Sequence, residues 1–292
     1  MQVFDETIKD TLESRLIALE EHFAADVIFY YGDISPAAIK PFRDFIEKRV
    51  AHEPHRERLT FFVNTPGGSA ETVEKMVEVT RFHYGEIYFV VPDMAMSAGT
   101  ILCMSGNKIF MDYSSSLGPI DPQVFNGEQW VPALGYLDKV EQLLEKARRN
   151  QLSNAEFLLL QSLDLAMLSR YEQARDLTIT LLKRWLVEHK FRDWNIHANH
   201  PDKKGQSVTN AEKVARAEEI ARTLGDNKFW HSHERMIGPG TLNDLLRLKI
   251  DDYSTDATLR ILIRSYNDLL TEYVENRKIE FFLHSLDFFD HA

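Results

Sequence analysis

One cysteine, Cys103, occurs in the 292 residues, so no intrachain disulfide can form. It lies in an apolar run and reads as a buried packing thiol. No apolar stretch approaches the ~20 residues needed to span a bilayer. The region from Met1 to Ala25 mixes charged with apolar residues and has no uninterrupted apolar core, so no secretory signal is expected. Positive charge is in deficit: 34 Lys and Arg face 45 Asp and Glu, a net charge of -11 that opposes binding to nucleic acid or an anionic membrane. P-loop, H-E-x-x-H helix, cysteine pair, internal repeat and low-complexity tract are all missing. What remains is a chain of ordinary globular composition, 44% apolar and 27% charged. It is expected to be soluble and cytoplasmic, and is long enough for one large core with a helical accessory part.

The first half alternates strand and helix signals. Ile8 to Phe23 spaces Leu12, Leu16, Leu19 and Phe23 as an amphipathic helix. Asp26 to Tyr31 reads as a strand, and Ser35-Pro36 opens a helix over Ala37 to Val50. Leu59 to Asn64 is a continuous apolar strand suited to a sheet covered on both faces. Pro66-Gly67-Gly68 breaks it, and Ser69 to His83 follows as a helix. Ile87 to Val91 is a third strand, Met96 to Met104 a buried helix of small and apolar residues, and Lys108 to Met111 a fourth strand. Such alternation implies right-handed βαβ units and a parallel sheet. After Val124 the spacing predicts helices over Tyr136 to Arg149, Asn154 to Leu168, Tyr171 to His189 and Ala211 to Leu224. Trp194 to Val208 reads as a polar loop. A last helix over Ala257 to Glu275 leads to an aromatic tail, whose Phe281, Phe282, Phe288 and Phe289 are too apolar to stay exposed.

Chemistry concentrates at two turns. Ser97, in Ala95-Met96-Ser97-Ala98-Gly99, has the spacing of a nucleophile elbow without its first glycine. Entry into a helix aims the N–H groups of Ala98 and Gly99 at any developing negative charge. A serine at a small-residue helix start is more often a plain cap. Gly67-Gly68, directly after a buried strand, allows positive φ and close backbone approach. In a parallel sheet both turns lie at the carboxyl ends of their strands and face one crevice.

Asn64-Thr65-Pro66-Gly67-Gly68, Met96-Ser97-Ala98-Gly99 and Ser116-Leu117-Gly118-Pro119-Ile120, in that order, resemble the Clp protease and signal peptide peptidase A superfamily of serine peptidases. The best-matched branch is the serine dehydrogenase proteinase group. The resemblance covers Asp26 to Gln123 well and Trp230 to Ile250 more loosely. It implies an α/β fold, a crotonase/Clp-protease-like βαβ superhelix with a parallel sheet, plus a large helical insertion and C-terminal helices. The expected division is a core of 1–135 and 225–255, a helical insertion of 136–224 and a C-terminal helical segment of 256–292. The resemblance makes Ser97 the nucleophile, and the N–H groups of Gly68 and Ala98 the oxyanion hole.

The general base is left open. Clp-type enzymes carry a His in the region matching Ser116 to Asp121, and none stands there. A Lys base, as in signal peptide peptidase A relatives, points to Lys139, 42 residues after Ser97, with Lys146 next. Lys139 lies among Glu and Lys on a helix, where a solvated lysine is the default. His231 and His233 give another option, against the bland reading of surface imidazoles. His197-x-x-His200 and His231-x-His233, with Asp193 and Glu234 nearby, lack the convergent spacing of a zinc site, so no metal and no cofactor is expected.

The resemblance implies a peptide or protein substrate, a homo-oligomer, and a separate partner for any ATP-driven unfolding. Two other readings stand beside it. One is acyl-CoA hydratase or isomerase chemistry on the same fold, for which Asp93 and Asp121 are the available carboxylates. The other is a catalytically inactive scaffold whose helical half, Tyr136 to Leu224, is an interaction surface.

Overall fold

The computed structural model describes every residue except 1, 53–54, 126–129, 199–201, 287 and 292. Helix α1 (Gln2–Phe23) leads into β1 (Asp26–Tyr31), α2 (Ile39–Ala51), β2 (Arg58–Asn64), α3 (Ala70–His83) and β3 (Glu86–Val91). The short β4 (Met94–Ala95) precedes α4 (Ala98–Met104), β5 (Lys108–Met111) and β6 (Ser116–Leu117). Next come β7 (Gln123–Phe125) and β8 (Trp130–Pro132), then α5 (Ala133–Arg148), α6 (Asn154–Gln161), α7 (Leu165–Trp185) and α8 (Asn210–Gly225). Helix α9 (Asn227–Trp230), α10 (Pro239–Asp244), β9 (Asp251–Asp252), α11 (Ala257–Arg277), β10 (Phe282–Ser285) and β11 (Phe288–His291) complete the chain.

The main sheet has seven strands in the order β11-β10-β1-β2-β3-β5-β9. From β1 to β9 neighbouring strands are parallel. The fold is therefore mixed α/β with a mostly parallel sheet. Its strands are apolar on both faces because both faces are covered. Ile28 and Tyr30 of β1, with Phe61 and Val63 of β2, pack under α2, α3 and α4. Val27 and Phe29, with Phe62 of β2, face α1 and α11 through Leu12, Leu16, Ile263 and Tyr266. Alternate residues of one strand thus serve two cores.

Two details differ from the periodicity. Asn154 to Leu168 is not one helix: α6 ends at Gln161 and α7 begins at Leu165. The side chain of Asp164 accepts from the N–H groups of Ala166 and Met167, which starts a new helix where the apolar pattern alone continues. The C-terminal segment 256–292 is not helical to its end, although its aromatic tail packs on the core as expected. It forms β10 and β11, and β10 pairs antiparallel with β1, Tyr30 opposite Leu283. Phe282 and Leu283 are buried on opposite faces, one in each core.

Candidate active site

Three stretches of backbone meet at Ser97. The Thr65 N–H donates to Met94 O at 3.1 Å and the Met96 N–H to Thr65 O at 3.0 Å, so the loops leaving β2 and β3 run side by side. β6 pairs parallel with β4, Ala95 opposite Leu117. The Thr100 hydroxyl of α4 lies 2.9 Å from Ala95 O and from Gly118 O, and accepts from the Gly118 N–H at 2.9 Å. This buried hydroxyl ties the start of α4 to both strands.

Ser97 caps α4 with φ 50 and ψ -111, a conformation that a residue with a side chain adopts only when its surroundings impose it. Its side chain makes no capping hydrogen bond, so the plain-cap reading does not describe it. The residue is half-buried, while all of α4 behind it is buried. Within α4, burial pushes the Cys103 thiol well above its ordinary range, which makes it an inert packing group.

The glycine turn is pressed against the same place. A Cβ on Gly67 would stand 3.0 Å from Ser97 Cβ and 3.4 Å from Ala98 N. Gly68 has φ +147, and a Cβ there would lie 2.0 Å from Ile34 O, so no other residue fits. The neighbouring groups are used: Ser69 N–H donates to Ile34 O and Gly67 N–H to Thr65 Oγ1. The N–H groups of Gly68 and Ala98 donate to none of the described residues.

One strand further out, Leu117 pairs antiparallel with Ile237 through two backbone hydrogen bonds of 2.8 and 3.0 Å. Asp121 lies as far after Leu117 as His233 lies before Ile237, so the antiparallel course brings them level. His233 Nδ1 is 2.8 Å from Asp121 Oδ1. The Asp121 side chain is 0% exposed and that of His233 24%. Against a carboxylate, which only accepts, Nδ1–H is the donor, and the contact fixes the imidazole ring with Nε2 on its far side. A cleft lined by Ile120, Pro122, Arg175, Thr178, Arg222 and Lys228 lies beside this strand.

The other candidates are placed differently. Lys139 is exposed on α5. Lys146, also on α5, pairs with Glu156 at 2.6 Å. His231 is exposed and ends α9 with a left-handed φ of 65. Asp93 Oδ2 accepts from Asn64 Nδ2 at 3.1 Å and from Asn267 Nδ2 at 2.8 Å. His197 Nε2 lies 3.3 Å from Glu212, and His200 is outside the described residues. Among the described residues no group of three or more His, Cys, Asp or Glu is poised to hold a metal ion. Sequence reasoning considered Asp121 only as an acyl-CoA carboxylate. Its partnership with His233 crosses 112 residues and leaves no local signal.

Residues 36–197, more than half of the chain, match the ClpP-like SDH-type serine proteinase family. The chain belongs to that family. Two relatives come from Methanocaldococcus jannaschii. Uncharacterized protein MJ0137 is 32% identical over 79 residues, 27% of this chain and 28% of the relative. Uncharacterized protein MJ1495 is 30% identical over 71 residues, 24% of each chain. The alignments thus span about a quarter of the relatives' length. Two solved structures are mutants of the 1510-N membrane-bound stomatin-specific protease, one of them in complex with a substrate peptide. They align at 18% and 20% identity with TM-scores of 0.30 and 0.31. They cover 41% and 43% of this chain and 61% and 60% of their own. Likeness that loose carries no inference about chemistry. Among the described residues, no helix is long and apolar enough to cross a membrane.

Proposed function

We propose that the chain is a serine peptidase in which Ser97 is the nucleophile, His233 the general base and Asp121 the carboxylate that orients it. The observation that carries this reading is the 2.8 Å contact of His233 Nδ1 with the buried Asp121, on the strand next but one to the Ser97 turn. Membership of a serine proteinase family supports peptide substrates.

In the proposed reaction the Ser97 hydroxyl attacks the scissile carbonyl and passes its proton to His233 Nε2. Asp121 holds the imidazole in the tautomer that can accept that proton and stabilises the imidazolium. The carbonyl oxygen becomes an anion and turns to the N–H groups of Gly68 and Ala98. Each such donor contributes about 10²–10³ in rate, because it is aimed before charge develops. His233 then protonates the departing amine, the acyl group stays on Ser97 Oγ, and water attacks by the reverse route. The positive-φ backbone of Ser97, whose side chain makes no capping hydrogen bond, supports this role. Lys139, exposed on α5, has no part in this scheme.

A fluorophosphonate probe tests the assignment. Covalent labelling at Ser97, lost in Ser97→Ala, is the expected result. Labelling that survives Ser97→Ala, or that maps to another serine, would remove Ser97 from the reaction.

A further inference from the structure

Asn267 is out of character with its surroundings on α11. The neighbouring buried residues of that helix, Ile263, Tyr266, Leu270 and Val274, are apolar or aromatic and pack in the core beneath the sheet. Asn267 is 1% exposed, and its Oδ1 meets no hydrogen-bond partner among the described residues. A buried amide oxygen left unpaired costs stability, and leucine would fill a similar space without that cost. What asparagine supplies is Nδ2, which donates to Asp93 Oδ2 at 2.8 Å and reaches Asp268 Oδ1 only at 3.4 Å. The same oxygen of Asp93 accepts from Asn64 Nδ2 at 3.1 Å. One carboxylate oxygen thus joins α11 to the chain leaving β2 and β3.

Asn64 and Asp93 also tie the next loops out through their carbonyls. Asn64 O accepts from the Gly32 N–H at 3.2 Å, and Asp93 O from the Ser116 N–H at 2.8 Å. Asn64 begins the turn that carries Gly68, and Asp93 the turn that carries Ala98. We infer that Asn267 and Asp93 are positioning residues, whose clamp on Asn64 fixes the spacing between the Gly68 and Ala98 N–H groups. This inference rests on the Ser97 reading and deepens it. Two donors stabilise one oxyanion only when both point at the same atom. These two come from separate turns, so the turns must be held in register from outside the site. Helix α11 can do so because it is anchored on the face of the sheet opposite α3 and α4. In this role Asp93 is an acceptor of two N–H groups and not a reacting carboxylate.

Three variants test the clamp on a peptide ester and its thionoester, in which sulfur replaces the carbonyl oxygen. Sulfur accepts hydrogen bonds weakly, so well-aimed N–H groups favour the oxygen ester. Asn267→Leu is expected to unfold in urea no earlier than wild type. It should nevertheless lower kcat for the ester roughly 100-fold, with KM within about threefold. The preference for ester over thionoester falls with it, which a loss of folded protein alone would not cause. Asp93→Leu should behave alike. Asp93→Asn keeps an oxygen that accepts from both donors and should return kcat to within about fivefold of wild type. Asp93 is exposed, so this pair of variants reads the clamp even if Asn267→Leu fails to fold. Wild-type kinetics in Asp93→Leu or in folded Asn267→Leu, with Ser97 still labelled by a fluorophosphonate, overturns the clamp and leaves the peptidase reading standing. So does an unchanged ester preference, or an Asp93→Asn as slow as Asp93→Leu. Labelling that survives Ser97→Ala removes both.

Discussion

The Ser97 turn and the α6 tip, the end of the α5–α6–α7 hairpin, are opposites in how they are stabilised. At the turn, local preference is violated: Ser97 and Gly68 both have positive φ, and the backbone of Ile34 leaves no room for a side chain at Gly68. That geometry survives because buried neighbours impose it, through the Thr100 hydroxyl, the paired loops after β2 and β3, and the fully buried α4. At the tip every local rule is obeyed, with a capping box, an N-cap carboxylate and an i,i+4 ion pair, yet no residue of α6 is buried. Strain held by tertiary contacts marks the place where atoms must be aimed.

Variants that separate the two kinds of order follow, from the largest effect to the smallest. Asp121→Asn removes the fixed acceptor of the His233 Nδ1–H while keeping volume, and kcat is expected to fall by about 10³–10⁴-fold with the melting temperature little changed. A stopped assay on a peptide ester reads the first quantity, calorimetry the second. Gly68→Ala forces a Cβ onto Ile34 O and should cost about 3 kcal/mol or more of stability, measured by urea unfolding. If it unfolds like wild type, the turn is not held as described.

Acid should act on the core through a buried histidine. His284 is buried on β10 against the Tyr266 hydroxyl at 2.7 Å, and burial lowers its pKa from 6.5 to about 3. The folded state therefore refuses a proton that the unfolded chain takes up below about 6.5. Stability is full above that pH and falls as pH drops from about 6.5 towards about 3, by roughly 1 kcal/mol per unit. His284→Phe should flatten this slope; an unchanged slope would assign it to other groups. At the tip, Ser153→Ala removes one cap and should loosen α6 alone by about 1 kcal/mol, seen as faster amide exchange over 154–161 with no change in global unfolding.

The legibility of the chain follows the same division. Strands β1, β2, β3 and β5 are readable because continuous apolar runs suit a sheet covered on both faces, and their ends fall within a residue of the spacing. The turns at Gly67-Gly68 and Ser97 announce themselves by small residues after those runs. The partnership of His233 with Asp121 does not, because it depends on one antiparallel bridge between Leu117 and Ile237, far apart in the chain. Spacing drew attention to Lys139, but spacing along a helix does not say which way the helix faces, and Lys139 faces solvent. The tail was readable as apolar and unreadable as β10 and β11, since an edge strand is defined by the partner it finds.

The central claim is that His233, and not Lys139, activates Ser97. The most direct measurement is the rate of fluorophosphonate labelling in wild type, His233→Ala and Lys139→Ala, compared side by side on folded protein. The account predicts that His233→Ala slows labelling by about 10³-fold or more, while Lys139→Ala labels within about twofold of wild type. Labelling that is intact in His233→Ala and lost in Lys139→Ala would contradict it.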